Sequence, residues 1–190
     1  MEQLIQLNSG AKLSPHFTLG EMTVTNQKGV YNVPTHEAIA NLKRLCGWLE
    51  ILRERYNAKY SSSGAFVMHQ QPNGGICNAV GIANPHITSS CISNAAEHGI
   101  HINSGYRSPQ LNKKIGGAAN SNHLSGCAAD IRVSGAEQAI RYAAILLDYS
   151  LESHQDFDEL LIEKNRYGAM WLHFAVRPDK NRRKVLFLSV

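Results

Sequence analysis

Asp130 lies inside Ala128-Ala-Asp-Ile-Arg-Val133, a run that otherwise has the composition of a strand. A carboxylate among apolar strand residues costs free energy unless an ion pair or a metal takes it up. Any fold of this chain must therefore bring a partner to Asp130. His123 precedes it by seven residues, in Ser121-Asn-His-Leu-Ser-Gly126. On a continuous helix the two would share a face, two turns apart. On a continuous strand they would point to opposite faces. Neither suits, because Gly126 interrupts the segment. A loop that turns at Gly126 and then enters a strand brings both side chains to one point. His173, in Trp171-Leu-His-Phe174, supplies a third donor from another strand. Two imidazoles and one carboxylate suit a zinc ion and leave one position open. An open zinc activates water, so the pattern points to metal-assisted hydrolysis.

The chain has 190 residues, which suits one domain over 1–190 with a single core. Hydrophobic residues make up 43% and charged residues 18%, an ordinary globular balance. No apolar run approaches the ~20 residues needed to cross a bilayer, so no membrane partner is expected. Residues 1–8 lack a basic stretch and a long apolar stretch, so the chain is expected to be made in a cytoplasm without a secretory signal. Net charge is +4, with Arg177, Lys180, Arg182, Arg183 and Lys184 close together near the end. Such a patch could favour an anionic polymer. The plainer reading is a solvated turn between two strands, and no aromatic residues interleave as a single-stranded nucleic-acid groove requires. No nucleic-acid partner is expected, and the protein is expected to be a monomer. The four cysteines, Cys46, Cys77, Cys91 and Cys127, form no CxxC pair and read as free thiols; a Cys77–Cys91 bond stays open if the protein works outside the cell.

Residues 1–34 read as an irregular arm, with Phe17-Thr-Leu-Gly-Glu-Met22 as a short element that docks on the core. Thr35 can cap a helix that carries Ile39, Leu42, Leu45, Cys46, Leu49, Leu52 and Tyr56 at helical spacing. Residues 57–97 have a different texture, rich in turn signals such as Gln70-Gln-Pro-Asn-Gly-Gly75. This insertion is either a lid or substrate-binding element or a surface excursion. Beyond it, Ile100–Asn103 suggests a short strand, and Ser108-Pro109 starts a helix that Gly116-Gly117 stops. Residues 128–133 form a strand, and Ala136, Ile140, Ala143, Ala144 and Leu147 form a second helical face. Phe157–Ile162, Met170–Val176 and Lys184–Val190 read as closing strands. The result is an α+β domain with an antiparallel sheet and packed helices.

The joint pattern Ser121-x-His123-x-x-Gly126-x-Ala128-x-Asp130 with a later Trp171-x-His173 resembles the zinc D-Ala-D-Ala carboxypeptidase and murein endopeptidase family, whose fold is shared with the Hedgehog signalling domain. Ser104-Gly-Tyr-Arg-Ser-Pro109 with Asn112, and Phe157-Asp-Glu-Leu-Leu-Ile-Glu163 ahead of Trp-Leu-His, are similar to the branch found in bacteriophages and their hosts. The likeness covers most of the chain outside residues 57–97.

The resemblance implies one Zn2+ bound by His123, Asp130 and His173, and Glu163 as the catalytic carboxylate. Hairpin pairing across Asn165-Arg-Tyr-Gly168 would bring Glu163 near His173. Other branches place the acid only a few positions before the final histidine, where this chain has Met170, so Asp158 and Glu159 stand as fallback candidates. The resemblance also implies Arg107 as a substrate-contacting and catalytic residue, whose planar fork suits a carboxylate or a developing oxyanion. Tyr106 and Ser121 are further candidates for shaping the substrate site. The expected substrate is the peptidoglycan stem peptide, cut as carboxypeptidase or endopeptidase, by a phage lysis enzyme released to the wall or by a virion-borne peptidase. The rival reading is a wall-binding or virion module that keeps the metal without the chemistry.

Overall fold

The computed structural model describes residues 9–60 and 99–190. Most of the insertion expected at 57–97 lies outside the described residues, as do Cys77 and Cys91. Helix α1 (Leu19–Met22) is set by a capping box: the Thr18 hydroxyl accepts from the Glu21 amide, and the Glu21 carboxylate accepts from the Thr18 amide. It docks through Phe17, Leu19 and Met22, all buried. The short docking element expected within the N-terminal arm is therefore a capped helical turn.

Helix α2 (His36–Tyr60) begins where Thr35 Oγ1 accepts from the Ala38 amide at 3.1 Å. It runs past residue 57 to Tyr60. Tyr56 and Tyr60, one turn apart, stack at 4.9 Å between centroids, and the Arg141 guanidinium sits 4.2 Å over the Tyr60 ring. These contacts extend the helix beyond the point where turn-forming composition begins.

Strand β1 (Ile102–Ser104) and helix α3 (Pro109–Lys114) follow. Ser108 caps α3 through its hydroxyl, which accepts from Leu111 N, and Gly116 ends the turn with φ +71°. A 3₁₀ turn (Asn122–Ser125) leads into β2 (Ala128–Arg132), then α4 (Ala136–Ser153), β3 (Glu159–Lys164), β4 (Met170–Ala175) and β5 (Lys184–Ser189).

The five strands lie in the order β1-β2-β4-β3-β5. The fold is α+β, as expected, but the sheet is not wholly antiparallel. Strand β5 pairs parallel to β3. The reason is topological: β2 already occupies the free side of β4, so the chain leaving β4 must cross to the far side of β3. There it runs the same way as β3.

Register sorts the side chains. Asp130 pairs with His173, and His173 with Leu161, so these three share one face with Glu159 and Glu163. Ala129, Ile131, Leu160, Ile162, Leu172 and Phe174 occupy the opposite face and join the core. There α2 and α4 cover them, with Trp48 5.4 Å from Phe174 between ring centroids.

Candidate metal centre

The turn that carries His123 is built by its neighbours. Ser121 Oγ accepts from the His123 amide at 3.3 Å and caps the 3₁₀ turn. Gly126 closes it in the left-handed region, at φ 71°. A Cβ at Gly126 would come 2.5 Å from the Ala38 carbonyl oxygen on α2, so both backbone conformation and space require glycine. The chain then enters β2 with Asp130 on the face away from the helices. The expected loop-into-strand geometry is what occurs.

His123, Asp130 and His173 come together. One ligand atom from each lies within 4.8 Å of the others, and all three residues are buried. His123 Nε2 is 3.3 Å and His173 Nδ1 2.9 Å from Asp130 Oδ1. The remaining nitrogen of His123, Nδ1, lies 2.6 Å from the Gly105 carbonyl oxygen. That contact assigns the proton to Nδ1 and leaves the Nε2 lone pair facing Asp130. It also explains the Ser104-Gly-Tyr-Arg segment: Gly105 lets the backbone approach, and the Tyr106 amide donates to the Met22 carbonyl at 2.7 Å. Two imidazole nitrogens and a carboxylate oxygen converging from a loop and two strands fit the donor chemistry of zinc.

Electrostatics follow from this crowding. Burial alone would raise the Asp130 carboxyl, but His123 and His173 outweigh it and hold Asp130 well below the usual carboxylate range. Burial opposes charge on His173 as well, yet Asp130 and Glu159 dominate and raise it to about 9. A metal ion must displace that proton from the histidine.

Arg107 touches the same carboxylate. Its Nη2 is 2.5 Å from Asp130 Oδ2, its Nε donates to Ser104 Oγ at 2.9 Å, and its backbone amide donates to the His123 carbonyl at 3.0 Å. Glu163 sits opposite Trp171 in the β3–β4 hairpin and accepts from the Trp171 indole N–H at 2.5 Å. It shares the face of His173 and contributes to the raised affinity of that imidazole for its proton. Tyr106 is placed in the hydrophobic core, 4% exposed, where its ring packs. Ser121 acts on the His123 turn as its cap.

The fallback acids have structural partners. Asp158 is fully buried and held by Arg182 through Nε at 2.8 Å and Nη2 at 2.6 Å, by Arg177 Nε at 3.0 Å and by Asn122 Nδ2 at 2.8 Å. Glu159 contacts Asn122, Arg182, Lys184 and His173. Arg177, Lys180, Arg182 and Arg183 do lie between β4 and β5, with Lys184 opening β5, but four of these five are ion-paired rather than simply solvated: Arg177 and Arg182 with Asp158, Arg183 with Asp156, and Lys184 with Glu159. Sequence reading missed Asn122, which links the ligand turn to both acids. The available signal was its place directly before His123.

Residues 89–152 match the family model described as Peptidase M15. That segment is similar to M15 peptidases. The matched segment includes Arg107, Ser121, His123 and Asp130, while Glu163 and His173 lie beyond it. M15 peptidases are zinc-dependent metallopeptidases, in keeping with the His-Asp-His cluster. No curated protein matches the chain. Cys46 and Cys127 are free and buried thiols; burial pushes Cys46 up to about 12, so it is chemically quiet.

Proposed function

We propose that this chain is a zinc peptidase of the M15 type that hydrolyses a peptide bond in the peptidoglycan stem, as a phage-type lysis enzyme or a virion-borne wall peptidase. The observation that carries the reading is the meeting of His123, Asp130 and His173 on the sheet face that also bears Glu163. His123 Nε2, the Asp130 carboxylate and His173 Nδ1 would hold the ion. When bound, zinc supplies Lewis acidity and makes water a better nucleophile at neutral pH.

The chain's own residues supply the rest. Glu163 accepts a proton from the attacking water and delivers it to the leaving amine. The Trp171 indole N–H fixes one of its carboxylate oxygens, Oε2. Arg107 holds Asp130 through one donor, and its remaining N–H groups suit a substrate carbonyl or carboxylate. Gly105 and Asp130 between them fix His123, so the ligand set is held before any ion enters.

Mass spectrometry of muropeptides after digestion with zinc-loaded protein tests the reading and names the bond. Stem peptides shortened or separated by wild type, and left whole by Glu163→Gln, are the expected result. Wild-type protein that carries zinc yet leaves purified peptidoglycan uncut would overturn it in favour of a wall-binding or virion module.

A further inference from the structure

Each histidine of the cluster has two ring nitrogens, and each uses one toward Asp130. For His123 the other nitrogen meets the Gly105 carbonyl. For His173 the other nitrogen, Nε2, faces the Glu159 carboxylate, 3.5 Å from Oε2. Glu159 is itself clamped. Its Oε2 accepts from Asn122 Nδ2 at 2.9 Å, and its Oε1 lies 2.8 Å from Arg182 Nη2 and 3.5 Å from Lys184 Nζ. Asn122 directly precedes His123, so this side chain ties the turn carrying one ligand to the strand facing the other. Arg177 Nε in turn donates to Asn122 Oδ1 at 2.8 Å.

We propose that Glu159 is the positioning residue of His173: its carboxylate takes the Nε2–H and thereby leaves the Nδ1 lone pair for the metal. The inference rests on the zinc reading above. A neutral imidazole has one N–H, so the group that accepts it decides which nitrogen can bind an ion. A carboxylate in that place orients the ring and makes the metal-facing nitrogen a stronger donor. The two carboxylates of β3 thus divide the work. Glu163 handles the proton of the reaction, whereas Glu159 is engaged by cations and an amide and serves the ligand.

The test is zinc affinity rather than turnover. Zn2+ is titrated into the metal-free full chain against a chromophoric chelator. Glu159→Ala is expected to weaken binding by about 10–100-fold, with Glu159→Gln, whose amide carbonyl can still accept, recovering most of it. Glu163→Gln is expected to bind as wild type. An Ala variant with wild-type affinity overturns the inference while leaving the zinc reading intact; wild type that takes up no Zn2+ overturns both. A long-range 1H–15N spectrum of zinc-loaded wild type needs no variant to fold. It is expected to show His173 protonated at Nε2, and a proton on Nδ1 would overturn the assignment.

Discussion

The two faces of the sheet are made from the same strands and solve opposite problems. On the helix side, Ile131, Leu160, Ile162, Leu172 and Phe174 are buried against α2 and α4, where each side chain needs only apolar contact of the right volume. On the other side, Asp130 and His173 are also buried and Glu159 is partly buried, but each needs a specific polar partner. Those partners come from elsewhere: Arg107 and Gly105 from the segment after β1, Asn122 and His123 from the 3₁₀ turn, Arg182 and Lys184 from the chain end. The helix face therefore carries stability through many interchangeable contacts, while the polar face, on the proposed reading, carries chemistry through a few that are not. Substitutions on one face should spare the property carried by the other.

The sharpest separation is expected from Glu163→Gln. If Glu163 is the proton acceptor, turnover should fall by about 10²–10⁴-fold. Zinc content by elemental analysis and thermal midpoint should stay at wild-type values. Unchanged muropeptide release would remove Glu163 from the mechanism. On the helix face, Phe174→Ala should cost about 3–5 kcal/mol of unfolding free energy in urea, since the ring is fully buried between Trp48 and Phe157. The fraction that remains folded should still bind zinc.

Asp158 blurs the division, because it stabilises from the polar side. Asp158→Ala should cost roughly 2–4 kcal/mol, less than a wholly buried pair because Arg182 is half-exposed. Its pH signature has a definite sign. Burial would raise the carboxyl, but Arg182, Asn122 and Arg177 outweigh it and hold Asp158 below the usual range. The contribution is therefore complete above about pH 4, the ordinary aspartate value, and is lost as pH falls toward the lower folded value. Urea midpoints between pH 2 and 6 should drop more steeply for wild type than for Asp158→Asn; parallel curves would refute this. The smallest effect is expected at Phe187 on β5, 72% exposed. Phe187→Ser should change stability by no more than about 0.5 kcal/mol, and a larger loss would mean that edge is covered.

Much of this was legible in the sequence. The caps at Thr35 and Ser108, the long amphipathic α2 and the turn at Gly126 follow from local chemistry and spacing, and the three candidate ligands from their donor chemistry together with the family resemblance. The burial of Tyr106 was not legible, since a tyrosine beside a candidate substrate-binding arginine reads equally as site or core. Nor was the pairing of the terminal arginines, because a cluster of cations in sequence does not reveal which carboxylates will face it.

By itself the chain determined most of its elements, because propensity, capping and hydrophobic period act over a few residues, while the donors were marked by residue type together with the family resemblance. Tertiary structure alone decided that β5 runs parallel to β3, that Arg107 meets Asp130, and that Glu159 rather than Glu163 lies against His173 Nε2. The reason is register: a slip of one residue turns every strand side chain to the opposite face, and only the packed sheet sets that register.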